Sequence, residues 1–223
     1  MPTVLFLRHG LTAKTGPVLT GWTPGVPLDE RGAAQARTVG ARLAGLRLDA
    51  VVTSPLERCV QTAQAVLDAR REPGGLHVEE RFGEVRYGDW TGRELKELAE
   101  EPLWKVVQAH PSAVVFPGPD GEPLASAQLR AVRAVREWNE RLGPDAVYAV
   151  CSHGDIIKAL VADALGLHLD QFQRIQVDPA SLTVVRYTEL RPFLVRLNDR
   201  GEDLSGLVPA NQGDGDAPVG GGA

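Results

Sequence analysis

Short apolar runs alternate along the chain with longer stretches in which apolar side chains recur every three or four positions. The short runs predict strands, and the longer stretches predict helices. The predicted strands cover 3–8, 49–53, 77–81, 146–152, 174–178, 182–188 and 193–197, and the predicted helices cover 29–46, 56–71, 94–108, 124–142 and 155–166, with an interruption near Pro102. This alternation over one core predicts an α/β fold, a three-layer α/β/α sandwich around a mostly parallel sheet with at least one antiparallel edge strand.

The stretch 124–142 has the clearest helical pattern. Its apolar residues at three- and four-residue intervals predict a stripe that packs on the core: Leu129, Val132, Val135, Trp138 and Leu142. Four arginines on the same stretch are interpreted as a solvated face rather than as a nucleic-acid surface: Arg130, Arg133, Arg136 and Arg141.

Two segments depart from the alternating pattern. The segment 111–123 contains four prolines, and two interpretations stay open for it: a lid or specificity loop over a pocket, or a mobile connector. From Arg200 onward the chain is rich in Gly, Asp and Pro and has few large apolar residues. We therefore predict one folded domain over 1–199 and a disordered tail over 200–223.

Composition narrows the range of partners. The 223 residues suffice for one sizeable core, and 43% of them are hydrophobic, as in ordinary soluble proteins. A formal net charge of −5 gives no general positive field, so neither nucleic acid nor an anionic membrane is expected as a partner. No apolar stretch has membrane-spanning length. Cys59 and Cys151 lie in apolar segments, which favours buried free thiols and a cytoplasmic location over a disulfide or redox pair.

The histidines and glycines do not form a metal or nucleotide motif. None of the five histidines forms a His-x-x-x-His pair, and there is no Cys-x-x-Cys, so no metal site is expected. A phosphate-binding Gly-rich loop of the nucleotide-binding type is also absent, and no cofactor is expected. We expect His77, His110 and His168 to lie at solvated or loop positions without chemistry.

Two predicted strands run directly into a histidine followed by a glycine. The first ends at Arg8-His9-Gly10, and the second leads through Ser152 into His153-Gly154. Open α/β sheets bind ligands outside the carboxyl ends of their strands, so both junctions fall where a ligand site is expected. A guanidinium offers planar donors for phosphate oxygens, and a neutral imidazole offers a nucleophilic nitrogen.

Two more segments fit an anion site. Ser54-Pro55 follows a β-branched run and predicts a helix capped by Ser54, which places Arg58 in the first turn, where anions are favoured. The glycine-rich loop 82–92 contains Glu84 among aromatic residues. Packing of aromatic rings around a carboxyl group raises its pKa by desolvation, which suits a proton donor.

With these segments in their order and spacing, the chain resembles the histidine phosphatase superfamily, the group that contains cofactor-dependent phosphoglycerate mutases and many acid phosphatases. The resemblance covers residues 3–197 and rests on Arg-His-Gly, the stretch 28–32, Ser-Pro-Leu-x-Arg-x-x-x-Thr-Ala, Tyr-Gly-x-Trp-x-Gly and the second His-Gly. It implies a phosphoglycerate mutase-like fold and a small phosphorylated substrate. The sequence leaves the oligomeric state open, a dimer included.

The resemblance also implies roles for individual residues. His9 is implied as the phospho-accepting nucleophile and Glu84 as the proton donor, with Asp89 and Asp155 as the alternatives for the acid. The groups expected to hold the phosphoryl group and substrate are Arg8, His9, Gly10, Thr15, Thr20, Gly21, Arg58, His153 and Gly154.

Hydrolase and mutase share these central groups, so the surrounding positions decide between them. Mutases carry an arginine, a lysine and two asparagines where this chain has Val85, Leu95, Thr15 and Asp155. Fewer cations weaken the retention of a bisphosphate intermediate, which favours metal-independent phosphomonoester hydrolysis. Phosphomutase activity is the first alternative, and a non-catalytic phosphate-binding module is the second.

Overall fold

The computed structural model describes residues 1–71 and 74–201. Within them one sheet contains the strands β1 Thr3–Arg8, β2 Ala50–Thr53, β3 Leu76–Val78, β4 Val147–Ser152, β5 Leu182–Tyr187 and β6 Pro192–Asp199. The helices are α1 Glu30–Leu43, α2 Glu57–Asp68, α3 Leu95–Leu98, α4 Pro102–Ala109, α5 Leu124–Leu142 and α6 Gly154–Leu165. Residues 202–223, most of the predicted tail, lie outside the described part of the chain.

The strand order in the sheet is β3-β2-β4-β1-β5-β6. Strands β3, β2, β4 and β1 pair in parallel, whereas β5 pairs antiparallel with β1 and β6 antiparallel with β5. The predicted α/β architecture, with a mostly parallel sheet and antiparallel pairing toward one edge, is confirmed.

Alternate residues of the central strand β1 face opposite layers. Val4 and Phe6 join the core on the side of α5 and α6, and Leu5 and Leu7 join the core on the side of α1 and α2. This two-residue alternation is the period of a strand. Because helices cover both faces of the sheet, the sequence of the strand is a continuous apolar run. Helices on both faces of one sheet make the predicted three layers.

Of two further element predictions, one is wrong and one is confirmed. The predicted strand at 174–178 is wrong: a 3-10 helix covers Leu169–Arg174, and 175–178 form irregular backbone, because β5 already occupies the position beside β1. The predicted interruption of 94–108 is confirmed, since α3 ends before a second helix that begins at Pro102. Proline suits a first helical position, where its missing N–H leaves no hydrogen bond unmade.

The stripe predicted on α5 is partly wrong. Leu129 is 50% exposed, and Leu142 is only partly buried, whereas Val132, Val135 and Trp138 are buried as predicted. The buried face is completed instead by small or distant positions: Leu124, Ala127, Ala131 and Ala134. Alanine contributes little to an apolar pattern, whereas Leu129 contributes strongly. The predicted stripe therefore included Leu129 and omitted the alanines of the face that is buried.

The arginines of α5 do not all behave as predicted. Arg133, Arg136 and Arg141 are exposed, but the Arg130 side chain is only 20% exposed and forms hydrogen bonds with a neighbouring loop. The solvated-face interpretation of Arg130 is therefore wrong. Besides the nearby Glu122, its partners are three backbone carbonyls far away in sequence, which no helical pattern can indicate.

The proline-rich segment 111–123 packs beneath the glycine-rich loop. The Phe116 ring contacts the rings of Tyr87 and Trp90 at centroid distances of 4.9 and 5.7 Å, and Tyr87 forms a β-bridge with Gly121. The segment thus supports that loop from below rather than covering the cleft described next.

Among the described helices, none combines the length and apolar character needed to cross a bilayer.

Candidate active site

The parallel pairing of β1 with β4 brings the two His-Gly junctions together. Arg8 lies opposite Ser152 in the register, so His9 and His153 leave adjacent strands at the same edge of the sheet. Their ring centroids lie 5.2 Å apart. The first turn of α2 adds Arg58 to the pair, as predicted from the sequence.

His9 is held as a neutral imidazole in one tautomer. Its Nδ1 lies 2.7 Å from the carbonyl oxygen of Gly10, which can only accept, so Nδ1 carries the proton and Nε2 keeps its lone pair. Burial lowers the pKa of His9 well below its usual value, and the cations Arg58 and Arg8 lower it further. At neutral pH the ring is therefore a neutral nucleophile, with the unprotonated Nε2 as its reactive atom.

Arg58 links both histidines. Its Nε donates to His9 Nε2 at 3.2 Å, and its Nη2 donates to His153 Nδ1 at 3.2 Å and to the carbonyl of Gly21 at 2.9 Å. Arg8 is equally buried and donates through Nη1 to the carbonyl of Val177 at 2.7 Å. Two buried guanidinium groups beside Nε2 form the local positive charge that the acidic chain otherwise lacks.

His153 is fully buried and oriented by Ser54. Since Nδ1 accepts from Arg58, the proton lies on Nε2, which donates to Ser54 Oγ at 2.8 Å. Burial lowers the pKa of His153 well below its usual value, with Arg58 as the next cause. The prediction that Ser54 caps the helix is wrong: α2 begins at Glu57, and the hydroxyl instead holds an imidazole.

Glu84 brings a carboxyl group to the same place. Its Oε2 lies 3.9 Å from His153 Nδ1, and its Oε1 accepts from the backbone N–H of Val85 at 3.0 Å. Burial, followed by the negative charge of Asp155, raises the pKa of Glu84 to about 7. A carboxyl group with this pKa can give up and take back a proton near neutral pH.

The two alternative acids occupy different places. Asp155 lies fully buried in the first turn of α6, where its Oδ2 accepts from the Tyr87 hydroxyl at 2.8 Å and its Oδ1 lies 3.9 Å from Lys158 Nζ. Asp89 is exposed and does not line the cleft. Glu84 is therefore the carboxyl group that faces the histidines directly, with Asp155 behind it.

The cluster opens into a cleft with about 410 Å³ of empty volume. Beyond the charged groups, its described lining includes Thr12, Thr15, Val18, Thr20, Gly21 and Leu95. Thr15, Thr20 and Gly21 thus lie where the sequence predicted substrate contacts. Gly10 and Gly154 do not line the cleft: Gly10 supplies the carbonyl that fixes His9, and Gly154 begins α6.

Gly10 has a steric reason to be glycine. A Cβ atom there would lie 2.5 Å from the carbonyl oxygen of Gly32 in α1, closer than real Cβ contacts allow. The turn after β1 therefore packs directly on the first turn of that helix. Any side chain at Gly10 would displace the backbone that carries His9.

Three residues shape the site through contacts that the sequence analysis did not predict. Ser54 orients His153, while Trp22 and Arg130 donate to the carbonyl of Glu84 at 2.6 and 2.9 Å. Nothing local in the sequence signals these contacts. The described residues contain no group of three or more His, Cys, Asp and Glu side chains placed to hold a metal ion.

Comparison with known proteins assigns the class. The family model of the histidine phosphatase superfamily, branch 1, matches residues 4–200, and the chain belongs to this family. The predicted phosphoglycerate mutase-like fold is confirmed as well. One similar solved structure is that of phosphoserine phosphatase from Entamoeba histolytica in complex with 3-phosphoglyceric acid. Its TM-score to this chain is 0.78 at 22% identity, and the superposition covers 89% of this chain and 98% of the Entamoeba chain.

Curated relatives include both activities of the family. Phosphoserine phosphatase 1 of Hydrogenobacter thermophilus is 32% identical over 176 residues, 77% of this chain and 80% of its own length. The 2,3-bisphosphoglycerate-dependent phosphoglycerate mutase 2 of Gloeobacter violaceus is 27% identical over 184 residues, 80% and 82% of the two lengths. The chain is therefore similar to phosphatases and to mutases.

Proposed function

We propose that this protein hydrolyses phosphomonoesters of small metabolites without a metal ion, through a phosphohistidine at His9. One observation carries the proposal: the unprotonated Nε2 of His9 lies beside two buried arginines, within the same cleft as a carboxyl group whose pKa is about 7. Nucleophile, positive charge and proton donor are thus assembled from the chain itself. The phosphatase relative supports the same reaction class.

In the first step, His9 Nε2 attacks the phosphorus atom in line with the leaving oxygen. The N–P bond forms while the P–O bond breaks, and the proton of Glu84 passes to the departing oxygen. Arg8 and Arg58 hold the non-bridging oxygens, where most of the catalysis of phosphoryl transfer resides. The hydrogen bond from Nδ1 to Gly10 stabilises the positive charge that develops on the ring.

In the second step, a water molecule attacks the phosphohistidine. Glu84, now a carboxylate, removes a proton from the water, the N–P bond breaks, and inorganic phosphate leaves. His9 returns to its neutral form and Glu84 to its protonated form. Because the pKa of Glu84 lies near 7, both of its roles are accessible near neutral pH.

The cleft favours hydrolysis over phosphomutase activity. Apart from Arg8, Arg58 and Glu84 beside the nucleophile, the described lining of the cleft has no charged side chain, with Leu95 and Thr15 where mutases carry a cation and an amide. Val85 is fully buried and cannot contact a second phosphate. A bisphosphate intermediate would therefore lack the charges that retain it. Transfer of phosphate between positions of phosphoglycerate remains the alternative that the mutase relative supports.

A panel of phosphorylated metabolites, including sugar phosphates, nucleotides and phosphoserine, tests the proposal. We expect phosphate release from at least one member and the same rate after treatment with EDTA, because guanidinium groups supply the positive charge. Phosphoglycerates with and without 2,3-bisphosphoglycerate serve as the mutase comparison. A strict requirement for a divalent metal would contradict the metal-free mechanism, and isomerisation faster than phosphate release would favour the mutase.

Arg58→Ala should raise KM and lower kcat together. One guanidinium binds the phosphoryl group and both histidines, so its loss should reduce kcat/KM by about 10²–10³-fold. Arg58→Lys should recover only part of the rate, since an ammonium group cannot reproduce the planar, two-pronged contact.

The affinity for vanadate provides the direct readout for Arg58. It should fall in Arg58→Ala and stay unchanged in the control Arg37→Ala, which alters an exposed arginine of α1. Unchanged vanadate affinity in Arg58→Ala would place Arg58 outside the phosphate site.

A further inference from the structure

One side chain of α5 binds the backbone of the loop that carries Glu84 at three carbonyl groups. Arg130 extends from that helix, and its Nη1 donates to the carbonyl oxygens of Arg81 and Gly83 at 2.6 and 2.9 Å. Its Nη2 donates to the carbonyl of Glu84 itself at 2.9 Å. Three carbonyls within four consecutive residues thus converge on one guanidinium, and the backbone curls around a fixed positive charge.

A carboxylate completes the arrangement. Glu122 accepts from Arg130 Nε and Nη2 at 3.1 and 2.7 Å, and its Oε1 also accepts from the backbone N–H of Arg86 at 2.9 Å. Arg130 and Glu122 therefore hold the backbone on both sides of Glu84. The two side chains are 20% and 14% exposed, so water competes weakly with these charge-assisted bonds.

The backbone at Glu84 determines where its carboxyl group lies. Its carbonyl also accepts from Trp22 Nε1 at 2.6 Å, and the next backbone N–H, that of Val85, binds the carboxyl oxygen Oε1. A rotation of the peptide between Glu84 and Val85 would move both the Glu84 carbonyl and the Val85 N–H that binds the carboxyl group. The distance between Glu84 Oε2 and His153 would change with it.

We propose that Arg130 is a positioning residue for proton transfer, which holds the peptide of Glu84 so that its carboxyl group faces the leaving oxygen. The proposal rests on the function proposed above. Arg130 is not among the residues that line the cleft, so it acts through the backbone of Glu84. Its loss should affect the step that needs a proton more than the binding of phosphate.

The test compares Arg130→Gln and Arg130→Lys with Arg133→Gln, which changes an exposed arginine of the same helix. With an alkyl phosphate, Arg130→Gln should lower kcat by about 10²-fold, as expected for a misplaced catalytic group. KM and vanadate affinity should change by less than about twofold, and Arg133→Gln should match the wild type within the same margin. Arg130→Lys should give an intermediate kcat, because one ammonium cannot serve three carbonyls and a carboxylate.

The leaving group separates positioning from general structural damage. Formation of the phosphohistidine from p-nitrophenyl phosphate needs little proton donation, so its burst rate in Arg130→Gln should stay close to that of the wild type. An equal loss of the burst rate for both leaving groups would overturn the proposal. Glu122→Gln is the milder variant if Arg130→Gln does not fold, and it should show the same selective loss at smaller size.

Failure of the proposed function would be visible separately. A wild-type protein that releases phosphate from no ester contradicts the proposed function, and hydrogen exchange then tests Arg130. The amides of Val85 and Arg86 should exchange faster in Arg130→Gln than in Arg133→Gln, since both are held by the loop geometry. Unchanged exchange at these two amides would overturn the role of Arg130.

Discussion

His9→Ala should eliminate phosphate release, with a fall in kcat of about 10⁴-fold or more, as for other nucleophiles that act in a covalent step. Arg58 and Arg8 cannot form a bond to phosphorus, so what remains is the binding of phosphate by charge alone. The fold should persist because the imidazole, although buried, belongs to neither hydrophobic core cluster and bonds to its own neighbour's carbonyl and to Arg58. Circular dichroism and thermal unfolding measure that persistence.

Trapping of the intermediate makes this prediction specific. Acid-labile, base-stable radiolabel from a ³²P-phosphorylated substrate should accumulate on the wild type after a rapid quench and be absent from His9→Ala. His110→Ala, a change at an exposed histidine, should retain both the label and the rate. If His9→Ala retained a tenth or more of the wild-type rate, another residue would be the nucleophile.

Glu84→Gln should slow the hydrolysis of alkyl phosphates severely and affect p-nitrophenyl phosphate much less in the phosphorylation step. Alkoxides leave poorly without a proton, whereas p-nitrophenolate is a good leaving group. General acid–base assistance contributes about 10²–10⁴-fold, which sets the expected gap between the two burst rates. Steady-state rates can fall for both substrates, because the same carboxylate activates water in the second step, so burst kinetics are the relevant measurement.

The pH profile gives an independent signature of the same residue. With the pKa of Glu84 raised to about 7, the acid is protonated below that pH and loses its proton as the pH rises through it. Phosphorylation by alkyl esters should therefore decline above about pH 7 in the wild type. This decline should be missing in Glu84→Gln and unchanged in Glu80→Gln, which alters an exposed carboxylate nearby. If Glu84→Gln lowered the burst rate equally for alkyl phosphates and p-nitrophenyl phosphate, the role of proton donor would move to Asp155.

The parts of the site that sequence could predict are those placed by regular elements. His9 and His153 follow strands that pair in parallel, and Arg58 lies in the first turn of a helix, so the end of the sheet brings all three together. Strand periodicity and strand order are enough for that inference. The tautomer of His9 could not be predicted in this way, because it depends on where the carbonyl of Gly10 points.

The parts that sequence could not predict are held by loops. Arg130 was misassigned because its backbone acceptors are carbonyls in a loop 46–49 positions away. Every residue has a backbone carbonyl, so the sequence does not indicate which ones accept a hydrogen bond. Ser54 fits a helix-cap pattern, but the imidazole of His153 takes its hydroxyl. The exposure of Leu129 could not be predicted either. The rotation of α5 about its axis depends on which of its small residues pack against the neighbouring sheet.

The adjacency of β1 and β4 has a consequence during synthesis of the protein. The N–H of His9 donates to the carbonyl of Ser152, so the strand end bearing the nucleophile is completed by a segment from the far side of the chain. A nascent chain that has not yet emerged to Ser152 contains the nucleophile and Arg58 but no assembled site. The site is therefore assembled only with the global fold, and we expect chains that end before Ser152 to lack phosphatase activity.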